Sequence, residues 1–286
     1  MESSGTDNLD QLDFLNNHLK NISRGNTFIE SETISATAKD KKSMDRILIL
    51  DTETTGLDEN NDEVIEIGCI LFHVTSRSVL SQLSFLLPVS INNAQHINGI
   101  SVEVSNISQP WEMGMDFFLK LVDSCDIILA HNAAFDKKWF GKGQLPNLNK
   151  NWICSLEDIN WSFKKNLKSR PSVTDLALAF NIPVWNLHRA LSDCYYISEV
   201  FKKIENLENI LIKATEPKYL YKALVSYEDR SLAKNAGFQW NSPVQGAWTR
   251  KLSEKEAIEI GFEVEILNCN GAHKMGDMWM PCNSHR

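Results

Sequence analysis

Three runs rich in β-branched and aliphatic residues follow one another: RILILD from Arg46, EVIEIGCILFHV from Glu63 and SVLSQLSFLLPV from Ser78. TTGLDENND and TSR, both turn-rich, separate them. Connections this short make sequence neighbours into spatial neighbours, so the pattern predicts a three-stranded antiparallel meander.

The pattern then changes. WEMGMDFFLKLVDSC places Phe117, Phe118, Leu121 and Val122 at helical spacing. It leads into DIILAH, a short continuous apolar run of the kind that forms a strand buried on both faces. NAAFDKKWF, SVTDLALAFNI and HRALSDCYYISEVFKKI read as helices. Strands gathered first and then alternating with helices predict an α/β fold, a mixed sheet flanked by helices, with its core ending near Ile204 or shortly after.

Four segments are expected: a polar N-terminal extension and linker over 1–44, a main domain over 45–206, a small α+β module over 219–267 and a polar tail over 268–286. In the extension, Leu9, Leu12, Leu15 and Leu19 have the spacing of one helix face. From Tyr219 onward, KALVSY, GAWTRKL and EVEIL read as strands, and EDRSLAKNAGF and SEKEAIEIGF as helices.

A net charge of -8 opposes a broad basic surface of the kind that coats long nucleic acids. The six cysteines form no CxxC pair, as expected of a reducing compartment. MESSGTDNLDQLDF carries acidic residues where a secretory leader needs basic and then apolar ones, and no apolar run is long enough to span a membrane. A cytoplasmic protein without membrane contact is the expectation.

In ILDTETTGL, Asp51 and Glu53 are two residues apart on a strand, so their side chains share a face and repel. Mg²⁺ or Mn²⁺, which favour carboxylate oxygens, would offset that charge. A lone DxE at a strand end is common without an ion, so the pair alone decides little. Asp136 follows the DIILAH strand, and His188 precedes Asp193 in HRALSD, each near a helix entry. Strand and helix ends of this kind are where α/β sheets gather polar chemistry.

ILDTETTGL, ILAHNAAFD and HRALSD, in this order, resemble the three exonuclease motifs of the DEDDh family. This is the DnaQ-like group that includes the proofreading epsilon subunit of bacterial replicative DNA polymerase. The likeness covers roughly residues 46–204 and implies a ribonuclease-H-like fold and a 3′-to-5′ exonuclease using two Mg²⁺ or Mn²⁺ ions. It implies that Asp51, Glu53 and Asp193 hold the metals directly, that Asp136 helps through water, and that His188 is the general base. A sibling subgroup has tyrosine four positions before the last aspartate; Arg189 stands there, so the histidine version fits.

The resemblance also places Thr54 and Leu57 near the sugar and base of the terminal nucleotide, with Gly56 permitting a tight turn. His96 and Gly99 in HINGIS match a segment bordering that nucleotide, although an ordinary glycine turn explains the same letters. His131 and Asn132 are candidate substrate contacts, and Asn132 reads equally well as a helix N-cap. Lys164, Lys165, Lys168 and Arg170, beside Trp161 and Phe163, suit either a strand-tracking path or a solvated loop.

SYEDRSLAKNAGFQWNSPVQGAWTRKL resembles a small module of unknown function, in which Trp240 and Trp248 are expected to staple the core. Cys269, His273, Cys282 and His285 do not match familiar zinc spacings, and a disordered tail is expected. The leading expectation is an exonuclease that releases nucleoside 5′-monophosphates from DNA 3′ ends, preferably single-stranded, in proofreading or repair beside a polymerase or another replication or repair partner. An RNA-trimming exonuclease of the same family, or a non-catalytic protein that binds nucleic acid or a polymerase, are the alternatives the sequence leaves open.

Overall fold

The computed structural model describes residues 44–267 and the backbone of two short paired strands, Lys274–Met275 and Met278–Trp279. The leucine-spaced helix of the N-terminal extension and the four Cys and His residues of the tail lie outside the described residues.

The meander forms as the sequence predicts. β1 (Arg46–Thr54) pairs antiparallel with β2 (Val64–His73), which pairs antiparallel with β3 (Ser78–Leu86). Two one-turn helices follow, α1 (Gln95–Asn98) and α2 (Val102–Ser105), and then the longer α3 (Trp111–Ser124). β4 (Ile127–Ala130) returns parallel to β1, α4 (Ala133–Lys137) follows, and β5 (Trp152–Cys154) pairs parallel with β4. α5 (Val173–Ala179), α6 (Ala190–Lys202) and α7 (Leu207–Ala214) complete the domain. The result is a five-stranded mixed sheet of order β3-β2-β1-β4-β5 with helices on both faces, a ribonuclease-H-like fold.

β1 is central because its apolar run has no polar face to give to water; Ile47 through Leu50 are all buried. Alternation along the strand then divides the core in two. Ile47 and Ile49 join Ile70 and Phe72 of β2 under α5, α6 and α7. Leu48 and Leu50 join Cys69, Leu71 and the Phe118, Leu121 and Val122 side of α3. Within α3, Met115 rather than Phe117 completes the buried stripe, and Phe117 is turned to solvent. The core also runs past Ile204, because Leu207, Leu211 and Ala214 of α7 are packed into it.

A second sheet follows, made of β6 (Tyr219–Ala223), β7 (Gln239–Trp240), β8 (Trp248–Leu252) and β9 (Val264–Ile266) in the order β7-β8-β6-β9, all pairs antiparallel. α8 (Arg230–Asn235) and α9 (Glu254–Glu259) accompany it. Its core is Tyr221, Ala223, Ala233, Phe238 and Leu252, with Trp248 packed against it. Trp240 is 51% exposed and leans on the Trp248 ring at 5.5 Å, so Phe238, not Trp240, fills the interior. Lys218 joins this sheet to the first, donating to the Asp158 carbonyl at 2.9 Å while facing the carboxylates of Asp158 at 3.6 Å and Glu256 at 3.8 Å.

Candidate active site

Strand alternation builds the site. Asp51 and Glu53 continue the row of Ile47 and Ile49, so they emerge on the face covered by α6. Asp193 lies in the first turn of α6, and one carboxylate oxygen from each of Asp51, Glu53 and Asp193 comes within 4.8 Å of the others.

The cluster is electrostatically costly as it stands. Burial, then the charges of Asp136, Asp193, Glu53 and Glu66, push the Asp51 carboxyl well above the carboxylate range. Glu53 is raised to about 8 by burial and by Asp193, Glu66 and Asp136, with Arg189 opposing. Burial raises Asp193 to about 6 against the pull of the His188 charge and a hydrogen bond from the His188 backbone. Asp193 Oδ1 is buried with no hydrogen-bond partner among the described residues. An orphaned carboxylate oxygen beside two mutually repelling carboxylates fits a hard divalent cation such as Mg²⁺ or Mn²⁺.

Asp136 approaches β1 from its β4 edge. The ladder between β1 and β4 ends at Ile49 and Leu129, which leaves the Thr52 amide without a strand partner there. Asp136 Oδ1 accepts from the Thr52 N–H at 3.0 Å and from the Thr52 hydroxyl at 2.8 Å. Burial still lifts Asp136 to about 7. Asp136 is therefore wedged against the strand between the two acidic residues and stands outside the three-carboxylate group. His188 lies just before α6, solvent-exposed, with φ 58° in the left-handed region and its backbone bonded to Asp193.

Two residues that build this site escape motif reading. Glu66 stands opposite Glu53 across the β1–β2 pair and is only 1% exposed. It accepts from Arg189 at 2.9 Å through each oxygen, from the Ala190 amide at 3.1 Å and from Ser84 at 2.8 Å. Gly68 lies under the start of α6, where a Cβ would fall 2.3 Å from the Leu191 nitrogen. A glutamate and a glycine inside the apolar run VIEIGCILF were the available signals, since a buried charge needs a partner and a strand glycine marks close backbone approach.

The remaining predicted residues divide. Leu57 is 78% exposed beyond the end of β1, and Lys138 of the α4 side bonds its carbonyl at 2.6 Å. His96 is exposed on α1, which ends at Gly99 with φ 69°. Asn98, buried, ties this segment to the Thr54 carbonyl at 3.1 Å, so the His96 segment borders the strand end that carries Glu53. Thr54 is buried and donates its hydroxyl to the Gly56 carbonyl at 2.6 Å. Gly56 is not in a left-handed turn; a Cβ there would lie 2.3 Å from the Asp62 carboxylate, whose side chain would have to shift.

His131 is engaged elsewhere. Its Nδ1 lies 3.0 Å from Ser155 Oγ, the Pro171 backbone also bonds its ring, and burial pushes it down to about 4. Asn132 occupies the N-cap position of α4 but is left-handed, φ 69°, and its side chain makes no cap hydrogen bond; the expected cap is not formed. In the basic loop, Trp161 is buried with its indole N–H on the Ser155 carbonyl at 2.8 Å. Lys164 lies over the Phe180 ring, Lys168 pairs with Asp175 and Arg170 with Glu157. These local pairings match a folded surface loop better than an open phosphate track.

The sequence pattern of the family described as "Exonuclease" matches residues 48–201, more than half of the 286-residue chain and the whole of the acidic site. The chain belongs to this exonuclease family. Residues 219–267 match a domain of unknown function, and 249–286 overlap a pattern described as a protein of unknown function. Among relatives of the exonuclease domain is the PolC-type DNA polymerase III of Thermotoga petrophila, 28% identical over 57% of this chain and 12% of that protein. DNA polymerase III subunit epsilon of Buchnera aphidicola is 26% identical over 54% of this chain and 71% of that subunit. The chain thus spans about an eighth of the length of the PolC-type relative it matches. Exonuclease X in complex with 5′ overhanging duplex DNA superimposes with a TM-score of 0.44, 22% identity and coverage of 59% of this chain and 99% of that one. No helix among the described residues is long and apolar enough to cross a membrane.

Proposed function

We propose that the exonuclease domain removes nucleotides from DNA 3′ ends, in proofreading or repair, and releases nucleoside 5′-monophosphates. The observation that carries this reading is the meeting of Asp51, Glu53 and Asp193 within 4.8 Å, with an orphaned buried oxygen on Asp193 and His188 bonded to that residue. Two divalent ions held there would supply Lewis acidity to the attacking water and charge neutralisation to the departing 3′ oxygen.

The protein's own residues do the rest. Asp51, Glu53 and Asp193 would hold the cations, and Asp136, which fixes the strand between Asp51 and Glu53 through Thr52, would assist them through water. His188, exposed beside Asp193, accepts the proton of the attacking water on a ring nitrogen, a role suited to imidazole near neutral pH. Leu57 and the His96–Gly99 segment border the terminal nucleotide, and Thr54 shapes the turn that presents Leu57. The kinship with polymerase III proteins supports work beside a polymerase or a repair partner in the cytoplasm.

The test is digestion by the full chain of 3′-labelled single-stranded DNA, mismatched duplex DNA and RNA, with Mg²⁺, Mn²⁺ or a chelator. Metal-dependent release of 5′-monophosphates, fastest from single-stranded DNA, is expected. Faster cleavage of RNA would transfer the reading to an exoribonuclease, and an Asp51→Ala protein that digests at the normal rate would overturn the site.

A further inference from the structure

His188 stands on a segment that packing does not hold. Trp185 is 61% exposed, and Asn186, Leu187 and His188 are exposed as well. Asn186 and His188 both adopt left-handed backbone, φ 53° and 58°, uncommon for residues with a Cβ although asparagine and histidine enter it more readily than most. Such a segment needs anchors.

The structure supplies one on each side. Before His188, the hydroxyl of Tyr196, a fully buried residue of α6, accepts from the Trp185 N–H at 2.9 Å and donates to the Trp185 carbonyl. After His188, the Arg189 guanidinium forks onto both oxygens of buried Glu66, and one of those oxygens also takes the Ala190 amide. Arg189 and Ala190 are thus tied to β2 opposite Glu53, and Trp185 is tied to the helix that carries Asp193.

We propose that Tyr196 and the Glu66–Arg189 pair are positioning residues that clamp the 185–190 segment from both ends and so fix His188 against the carboxylate cluster. The inference rests on the reading of His188 as proton acceptor. Neither anchor touches substrate; both act through His188. The bidentate geometry explains why arginine stands at position 189, since lysine would keep the charge and lose the fork.

Full-length Tyr196→Phe and Arg189→Lys proteins test this with a 3′-labelled single-stranded oligodeoxynucleotide at saturating Mn²⁺. Each is expected to lower kcat by about 10- to 100-fold, the scale of a small misplacement of a reacting group, with KM and the Mn²⁺ requirement within about twofold. In a His188→Asn background the same substitutions should cost nothing further, because the group they position is gone. Equal losses in both backgrounds, or no loss in the first, would overturn the clamp. Amide hydrogen exchange of residues 185–190 gives a readout that needs no turnover, and it should quicken in both variants. Unchanged exchange refutes the clamp; quickened exchange in a chain whose wild type digests nothing upholds the clamp and removes the exonuclease reading. If Arg189→Lys fails to fold, Tyr196→Phe, which alters no charge, carries the test.

Discussion

Asp51 of β1 and Gly68 of β2 are register partners, and the missing side chain at Gly68 is what lets the first turn of α6 press onto the sheet beside Asp51. A methyl group there would lie 2.3 Å from the Leu191 nitrogen and 2.4 Å from the Ala190 carbonyl carbon, both backbone atoms. Gly68→Ala is therefore expected to push α6 outward and cost about 1–3 kcal/mol, as overpacking does. Because Asp193 rides on α6, the stabilisation by Mn²⁺ should shrink too. Thermal unfolding with and without Mn²⁺ checks both; a wild-type midpoint and an unchanged Mn²⁺ shift would contradict the packing argument.

Stability should depend on pH in a direction set by the acidic cluster. Glu53 at about 8 and Asp136 at about 7 hold protons in the folded chain that they release when unfolded, and Asp51 is raised as well. Raised carboxyls stabilise at low pH, and that contribution is lost as pH climbs through the folded values. His131, lowered to about 4, works the other way, but its gain is complete once pH passes the ordinary histidine range near 6.5. Glu208, held at about 2 by Arg77, acts only in acid. Between about pH 6.5 and 8 the cluster is left to dominate, so the urea midpoint in chelator should fall across that window, while Mn²⁺, which displaces those protons, should flatten the fall. A midpoint that rises in chelator would contradict the assigned directions.

Asp51→Asn separates stability from chemistry. The amide has the size of the carboxyl without its charge, so in chelator at pH 8 the variant should be more stable than the wild type, by roughly 1 kcal/mol or more. Digestion of a 3′-labelled strand should vanish. At pH 5, nearer the ordinary carboxyl range, the stability gain should be smaller. Chemical unfolding at the two pH values reads this, and a destabilised Asp51→Asn at pH 8 would show that something in the protein already compensates the charge.

Which parts of this site could be read from letters follows from how local the cause is. Asp51 and Glu53 share a face because strands alternate, and three letters suffice to see it. Their meeting with Asp193 needed the family motifs, since only the packing of α6 on the Ile47–Ile49 face brings it about. Glu66 and Gly68 were visible as anomalies inside an apolar strand, but their partners, Arg189 and the Leu191 backbone, are more than 100 residues away. β5 has three residues, too few for a period to show. The fate of His131 depends on Ser155 and Pro171, which its neighbours in sequence do not announce.

Lys218 is the place to test how far the second sheet depends on the first. Its side chain is 8% exposed and satisfied by the Asp158 carbonyl and the carboxylates of Asp158 and Glu256. Lys218→Met keeps most of the length and apolar stem but removes the charge that Asp158 and Glu256 share, leaving Lys251 as the cation acting on Asp158 and Arg250 as the one acting on Glu256. A lost charged hydrogen bond of this kind costs about 2 kcal/mol, and the loss should fall on the contact between the two sheets more than on either core. Calorimetry of the full chain should then show the second sheet melting at lower temperature than the exonuclease domain, and proteolysis should open the chain near Glu216 and Pro217. Digestion of a single strand should persist, since every carboxylate of the site lies before residue 194. A Lys218→Met chain that melts as the wild type does would mean that the contact contributes no stability.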